Sequence, residues 1–335
     1  MSMKAIQEMT GYSHSTISRA INGKGKEYRI SDETVRKILE AADKLDYRPN
    51  MLARSLRLKK TMTIGLIVSD IQNPFFGELG SGIEQELRRH GYSTILCNAN
   101  EVPENEEFYL RILVDRKVDG IIFVPILTEE WTYLDQLGRS MPVVLIDRIF
   151  YHTELPWVTS ENTRAAEAVT EKFIALGHTR IAFLGGTRDT YINAVRFQGF
   201  RMALENHGLK PDPKLVFQVG YSTLAGREMM ALALKRDPQL QAVFCVNNQV
   251  FLGAMPIVQR SEMDGGPRIL MAGFDIGAYV DIFKRPLLSA NQDVETIGKT
   301  AVGLILDRIN DRPSEKSHVI VPIAVEAHRL EAPHP

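Results

Sequence analysis

At 335 residues the chain is too long for one average hydrophobic core and predicts two or three domains. Its 44% hydrophobic content is ordinary for a soluble globular protein, and its longest apolar runs, such as 121–124 and 143–146, fall far short of the ~20 residues that a membrane span requires. The net charge of -1 hides an asymmetry: residues 1–60 hold 13 Lys/Arg against 7 Asp/Glu, and the rest of the chain holds 27 against 34, so a basic small domain precedes an acidic larger one.

The first periodic stretch is short. Ala5, Ile6 and Met9 share one side of a helix that Ser2 can cap and Gly11 ends. A second helix starts after Ser13, a plausible N-cap, and Gly23 can close it. At about 100° per residue, Ile17, Ala20 and Ile21 share one arc, while His14, Ser15, Ser18, Arg19 and Asn22 occupy a polar arc of roughly 140° opposite. Ser31 caps a third helix with Asp32 and Glu33 in its first turn and Val35, Ile38, Leu39, Ala42 and Leu45 as its apolar positions. Three short helices sharing an apolar side, with a polar face on the second, predict a helix-turn-helix whose second helix enters a DNA major groove. The excess of basic charge on this module agrees with phosphate neutralisation. In the loop at 22–30, Lys24, Lys26 and Arg29 can meet the DNA backbone; its two glycines lack the spacing of a Walker motif.

Pro49 breaks the third helix and Asn50 can cap a new one. The helix-compatible stretch 51–57 is about two turns long and needs a partner surface to form, so it reads as a hinge that orders on binding. From Thr63 the pattern alternates: strands at 64–68, 94–97, 120–124 and 143–146, with helices at 76–90, 104–116 and near 129–137. A second series starts near Trp157, with helices at 163–176, 193–206, 223–236 and near 251–261, and strands at 181–184, 216–219, 242–246, 269–273 and 288–290. A helix at 295–310 and a strand near 318–323 end it. Such β/α alternation predicts two doubly wound units with parallel sheets, and a ligand cleft between them at the carboxyl ends of the strands. The expected partition is a helix-turn-helix at 1–47, a hinge and linker at 48–61, a first core subdomain at 62–160 with 292–320, and a second at 161–291 with 321–335.

Catalytic and metal-binding signatures are missing from the sequence: there is no H-E-x-x-H, no G-x-S-x-G elbow and no G-x-G-x-x-G opening a βαβ unit. No cofactor and no enzymatic activity are expected. His178, the best lone acid/base candidate, precedes a strand away from the expected cleft and reads as structural. Cys97 and Cys245 lie in strand-like contexts and are expected to be buried free thiols. With no signal-peptide pattern before the first helix, the expected location is the cytoplasm. A transporter's solute-binding protein, whose fold the core resembles, is the rival reading, and residues 1–57 count against it.

Several segments together resemble the lactose repressor (LacI/GalR) family of bacterial transcription regulators over nearly the whole chain. They are Ser-Thr-Ile-Ser-Arg-Ala-Ile-Asn at 15–22, similar to the family's T-V-S-R-V-[LI]-N; Tyr47-x-Pro49-Asn50-x-x-Ala53-Arg54-x-Leu56; Asp70-Ile71-x-Asn73-Pro74-Phe75-Phe76; Asp147-Arg148; Leu176-Gly177-His178-x-Arg180-Ile181; and Gly273-Phe274-Asp275. The loop at 22–31 is longer than usual and is similar to that of the fructose-type catabolite repressor/activator.

The resemblance implies a small all-α helix-turn-helix domain followed by an α/β core of two doubly wound subdomains, like a periplasmic binding protein. It places His14 and Ser15 at base-reading positions and Arg19 at a major-groove contact, with Thr16, Ser18 and Asn22 at phosphate or bracing positions. Leu56 matches the hinge leucine that wedges into the minor groove, flanked by Ala53 and by Arg54 and Arg57 as phosphate ligands. Asp147, Arg196, Asn247, Asp275 and Gln292 match effector-holding positions, with Ser160 beside them and Phe75 or Trp157 offering an apolar face. The implied partners are a pseudo-palindromic double-stranded operator, a second copy of the chain across the 76–90 helix, and a sugar, sugar acid or sugar phosphate. Two departures alter charge or reach near the cleft: Asn247-Asn248 replaces the usual Asn-Asp, and Glu161-Asn162 replaces the usual Asp-Asn.

Overall fold

The computed structural model describes residues 3–47, 60–126, 132–150, 152–188, 190–312 and 316–330. The chain divides into two compact units, Met1–Thr61 and Met62–Pro335.

In the first unit, α1 (Met3–Thr10), α2 (His14–Ile21) and α3 (Asp32–Lys44) enclose Ile6, Ile17, Ala20, Ile38, Ala41 and Ala42. Ser13 Oγ accepts from Thr16 N at 3.2 Å and Ser31 Oγ from Thr34 N at 3.3 Å, so these two expected serine caps satisfy amides that the helix itself leaves open, while Ser2, the third, lies outside the described residues. Leu39 is 46% exposed, contrary to its expected place in the core, and Ala41 is buried instead. The apolar arc of α3 is centred on Ile38; Leu39 is rotated about 100° from that residue, onto the flank of the helix.

The second unit contains two six-stranded sheets. The first is built from β1 (Thr63–Val68), β2 (Ser93–Asn98), β3 (Gly120–Phe123), β4 (Val143–Ile146), β5 (Trp157–Ser160) and β11 (His318–Val321), in the order β11-β5-β4-β3-β1-β2, all parallel. The second runs β12-β10-β9-β8-β6-β7, from β6 (Ile181–Gly185), β7 (Val216–Gln218), β8 (Ala242–Cys245), β9 (Leu270–Phe274), β10 (Leu287–Gln292) and β12 (Ile323–His328). Its strands are parallel except for β12 against β10. Setting aside β11 and β12, the orders β2-β1-β3-β4-β5 and β7-β6-β8-β9-β10 are the same, so the two halves repeat one architecture.

Helices cover the sheets: α4 (Pro74–Arg89), α5 (Pro103–Asp115), α6 (Thr132–Ser140) and α12 (Val294–Ile309) in the first half, and α7 (Asn162–Ala175), α8 (Tyr191–Asn206), α9 (Thr223–Arg236) and α10 (Asn248–Met263) in the second. A single helical turn, α11 (Val280–Phe283), follows β9 through a 3-10 segment that the sequence pattern did not signal. The central strands are buried along their whole length, as sheets covered on both faces require. The strand expected near 318–323 is two strands in different sheets, because Pro322 lacks an amide for the ladder and the chain changes sheets there. Two glycines set helix spacing: a Cβ on Gly199 of α8 would stand 2.0 Å from Thr163 O of α7, and one on Gly253 of α10 would stand 1.9 Å from Thr223 O of α9. Both cysteines are free and buried, as expected.

Candidate nucleic-acid interface and ligand cleft

On the first unit, His14, Ser15, Ser18, Arg19, Asn22 and Lys24 line one shallow surface depression, together with Ser13 and Tyr28. The helix turns the bulk of Ile17 and Ala20 inward, which leaves this set facing solvent. Asn22 caps the end of α2 by donating to Ser18 O at 2.6 Å. The Arg19 guanidinium lies 4.0 Å from the centre of the Tyr28 ring, and Lys24 pairs with Glu27 at 3.7 Å. Thr16 stays out of the depression and shares a 2.9 Å hydrogen bond with Ser13 Oγ. Arg29 also lies outside it, exposed, in a left-handed conformation at φ 54°. Ala53, Arg54, Leu56 and Arg57 lie outside the described residues.

In the second unit, equivalent strands of the two halves end on aspartates. Asp147 follows β4 and Asp275 follows β9, and both adopt left-handed backbone, φ 63° and 57°. Aspartate tolerates this region better than most residues, and the surroundings hold each one in place. Asp147 N donates to Val158 O and Asp275 N to Ala290 O, each at 2.9 Å, while Thr159 Oγ1 donates to Asp147 O at 2.6 Å. The Asp275 carboxylate accepts from Gln292 N at 3.0 Å and from Gln292 Nε2 at 2.9 Å.

Phe75, Asp147, Arg196, Asn247, Asp275 and Gln292 line a single constriction of about 30 Å³, which they share with Asn73, Phe76, Arg148, Ile192, Tyr221 and Asn248. Beside it opens a cavity of about 620 Å³, whose walls include Asp70, Glu101, Arg148, Arg188, Tyr221 and Asn247. Ser160 does not reach either space. It lines a separate groove with Trp157 and Thr163, and its carbonyl accepts from Asn162 Nδ2 at 3.0 Å. Asn162 Oδ1 in turn accepts from Arg196 Nε at 2.8 Å, so Ser160 stands behind the arginine rather than on the cleft surface. The close approach at Gly199 is what lets α8 bring Arg196 to the start of α7. Arg196 also donates through Nη1 to Val246 O at 2.6 Å and lies 3.6 Å from the Phe274 ring centre. Trp157 stacks on His318, with ring centres 4.8 Å apart, rather than lining the cleft.

Sequence reasoning missed Glu101, Arg148 and Tyr221. Arg148 donates through both terminal nitrogens to Glu101, at 2.9 and 2.6 Å, and its guanidinium lies 5.2 Å from the Tyr221 ring. Tyr221 OH bonds Thr190 Oγ1, and its carbonyl accepts from Asn247 Nδ2 at 3.2 Å. Asn247 also caps α10, accepting from Val250 N at 2.8 Å. The adjacent Asp147-Arg148 pair was a visible signal for the arginine; Glu101, 47 residues upstream in a loop, carried none. The halves also meet directly: Asn248 Nδ2 of the second donates to Asn73 Oδ1 of the first at 2.8 Å. The other departure, Glu161, turns aside to pair with Arg164 at 3.6 Å.

Burial pushes the Asp147 carboxyl up to about 6; Asp275 and Glu101 act in the same direction, and Arg148 and Arg196 oppose it. Burial also raises Asp275, against the pull of Arg196 and the Gln292 hydrogen bonds. It lowers the Arg196 guanidinium, with Asp275 and Asp147 opposing. For Arg148, burial works against the charge, but Glu101 overrides it and the net direction is upward. The result is a desolvated cluster of alternating charge that presents donors and acceptors to a polar ligand. Its volume and mix of groups suit small-molecule binding. His178 lies in another groove with Leu176, Glu262 and Arg285, away from this cluster. No group of acidic, histidine or cysteine side chains among the described residues has the geometry of a metal site.

Comparison with known proteins gives both parts a family. Residues 61–329 match the model for periplasmic binding proteins and the sugar binding domain of the LacI family, and residues 2–50 match that for bacterial regulatory proteins of the lacI family. The chain is 32% identical to catabolite control protein A of Priestia megaterium over 322 residues, 95% of this chain and 94% of that protein. Among solved structures, the lac repressor bound to ONPG in the repressed state matches with a TM-score of 0.85 at 22% identity, covering 97% of this chain and 98% of that one. The complex of the transcriptional regulator CelR with cellobiose matches with a TM-score of 0.71 at 24% identity, covering 97% and 98%.

Proposed function

The chain belongs to the lacI family of bacterial regulatory proteins, and on that premise we propose a division of labour between its two functional surfaces. It is a DNA-binding transcriptional repressor with a ligand-binding core, and not an enzyme. The match of residues 2–50 to bacterial regulatory proteins of the lacI family counts against the transporter reading.

In our reading, a homodimer binds a pseudo-palindromic operator through two copies of α2. Arg19, His14 and Ser15 meet base edges, and Lys24, Arg29 and the helix-end polar groups meet phosphates. The segment with Ala53, Arg54, Leu56 and Arg57 is assigned the minor-groove side of the complex. One helix-turn-helix reads too few base pairs for genomic specificity, which is the reason for two-fold symmetry. The exposed face of α4 (Glu78, Ser81, Gln85, Arg88) and the unpaired edge of β2, where Leu96 is 45% exposed, are the surfaces we assign to the dimer. Operator binding places the protein on the nucleoid; no helix among the described residues is long and apolar enough to cross a membrane.

A small polyhydroxylated metabolite, a sugar, sugar acid or sugar phosphate, binds between the two halves of the core and changes operator affinity. The observation that carries this is the pairing of Asp147 and Asp275, which stand at equivalent strand ends of the two halves and line one constriction with Arg196. A ligand bridging them favours one relative placement of the halves, and residues 48–61 tie the first half to the DNA-binding unit. The test recovers genomic fragments retained by the full-length protein, footprints them, and repeats retention with a metabolite panel. Two-fold symmetric protection that a panel member alters is the expected result; an asymmetric half-site bound by monomer would exclude the dimer, and retention insensitive to the entire panel would exclude the cleft as a regulatory site.

A further inference from the structure

We infer that the cleft selects an uncharged carbohydrate over its phosphorylated or carboxylated counterparts, and that Glu101 sets this selectivity. The inference rests on the cleft being the ligand site and narrows the three ligand classes to one.

The hydrogen-bond directions inside the constriction follow from one another. Asn73 Oδ1 accepts from Phe75 N at 3.1 Å, where Asn73 caps α4. It is therefore the amide oxygen, and Asn248 must present its nitrogen to it. Asn248 Oδ1 consequently points the other way, buried and without a partner among the described residues. Gln292 gives its Nε2 to the Asp275 carboxylate, which leaves Gln292 Oε1 buried and without a partner as well. Both residues line the constriction. Two amide oxygens and the carboxylates of Asp147 and Asp275 thus converge there, and all four groups accept.

The cations do not balance this set for an incoming anion. Arg148 gives one N–H of each terminal nitrogen to Glu101, and its Nε, buried without a hydrogen-bond partner, lies 3.9 Å from Asp147 Oδ2, so two carboxylates already match its charge. Arg196 has Nε on Asn162 and Nη1 on Val246 O, and its charge is matched by Asp275 and Asp147. In the larger cavity, Asp70 and Glu101 face Arg148 and Arg188, so neither sign prevails. A phosphate or carboxylate at the constriction would meet four acceptors and lose its hydration where Glu101, Asp147 and Asp275 already match the two buried guanidinium groups. A hydroxyl placed there can donate to any of the four and accept from Arg148 Nε. The constriction, about 30 Å³, has room for one hydroxyl of the ligand, and the body of the ligand occupies the adjoining cavity of about 620 Å³, which is within the range of small-molecule sites.

Glu101 is the group that decides the matter. Removing its charge leaves Arg148 as a buried cation without its bidentate partner, and an anionic ligand then becomes the natural counter-charge.

The experiment is calorimetry and thermal melting of the full chain against two matched triplets and one pair: glucose, glucose 6-phosphate and glucuronate; galactose, galactose 6-phosphate and galacturonate; and cellobiose with cellobionate. We expect at least one neutral member to bind, with its charged counterparts at least tenfold weaker. In Glu101→Gln, melting alone first reports whether the fold is kept, and the neutral-to-charged ratio is expected to fall at least tenfold. Preference of the wild type for a phosphate or acid over its neutral partner overturns the inference whether or not the variant folds. An unchanged ratio in a folded Glu101→Gln removes Glu101 from the role. If no member of any charge class binds, the cleft reading itself fails and takes this inference with it.

Discussion

The Arg19 guanidinium sits over the ring of Tyr28, 4.0 Å from its centre, so a residue of the long loop after α2 holds the side chain assigned to the major groove. A cation–π contact at an exposed site contributes about 0.5–1 kcal/mol. Tyr28→Ala is therefore expected to weaken specific operator binding roughly two- to fivefold, and Tyr28→Phe to leave it unchanged. Arg19→Ala should cost about 1–3 kcal/mol on the operator and much less on a random duplex. Fluorescence anisotropy on both duplexes decides between base reading and simple attraction: equal losses on the two would assign Arg19 to phosphate instead.

Lys24 answers to a different expectation. Its partner Glu27 is 3.7 Å away and both side chains are exposed, so DNA can displace the pair at little cost. Lys24→Ala should weaken operator and random DNA alike and reduce the slope of log affinity against log salt by about one. A variant that lost only operator binding would show that Lys24 reads sequence.

The architecture was largely legible because it rests on periodicity. Ser13 and Ser31 cap the helices that their positions announced, and the buried strands of both sheets appear as apolar runs. Leu39 was misplaced because a list of apolar positions ignores how far each lies from the centre of the arc, where Ala41 has the better angle. Pro322 held a readable signal for the change of sheet between β11 and β12. The cleft was legible only at its strand ends. Asp147 and Asp275 follow strands and so announce themselves, but the Glu101–Arg148 pair joins residues 47 apart and depends on tertiary structure alone. Ser160 shows the converse: it sits at a strand end, yet its carbonyl faces Asn162 and the cleft lies beyond Arg196.

Stability should depend on pH through Asp147. Its carboxyl is raised from the usual 3.8 to about 6 in the folded chain. The folded state therefore holds the proton more tightly, and the associated stability is fully present below 3.8 and lost as pH rises through about 6. The difference corresponds to about 3 kcal/mol as an upper figure, and the raised Asp275 adds in the same sense. Asp147→Asn should melt higher than wild type at pH 7, with a flatter dependence between about pH 4 and 6, and should lose ligand affinity. Denaturant titrations at a series of pH values check this. A variant with the wild-type slope would show that Asp147 ionises normally.

The Asn248–Asn73 hydrogen bond joins the halves at 2.8 Å, and an aspartate at position 248 would have no nitrogen to give. Asn248→Asp would set a carboxylate against Asn73 Oδ1, which Phe75 N fixes as an acceptor. We expect this placement of the halves to lose about 1–3 kcal/mol and hydrogen exchange to quicken at the first turns of α4 and α10. Unchanged exchange at both turns would mean that other contacts hold the halves together.

Coupling between the cleft and the DNA-binding unit is the central claim, and operator affinity with and without a saturating cleft ligand tests it most directly. The protein is titrated onto its footprinted operator by anisotropy at fixed salt, alone and with the neutral sugar that binds most tightly in calorimetry. A coupling of about 1–3 kcal/mol predicts a roughly 5- to 150-fold change in operator affinity, absent in a folded Arg196→Ala that no longer binds the sugar. The same operator affinity at saturating sugar and without it would contradict the account, however tightly the sugar binds.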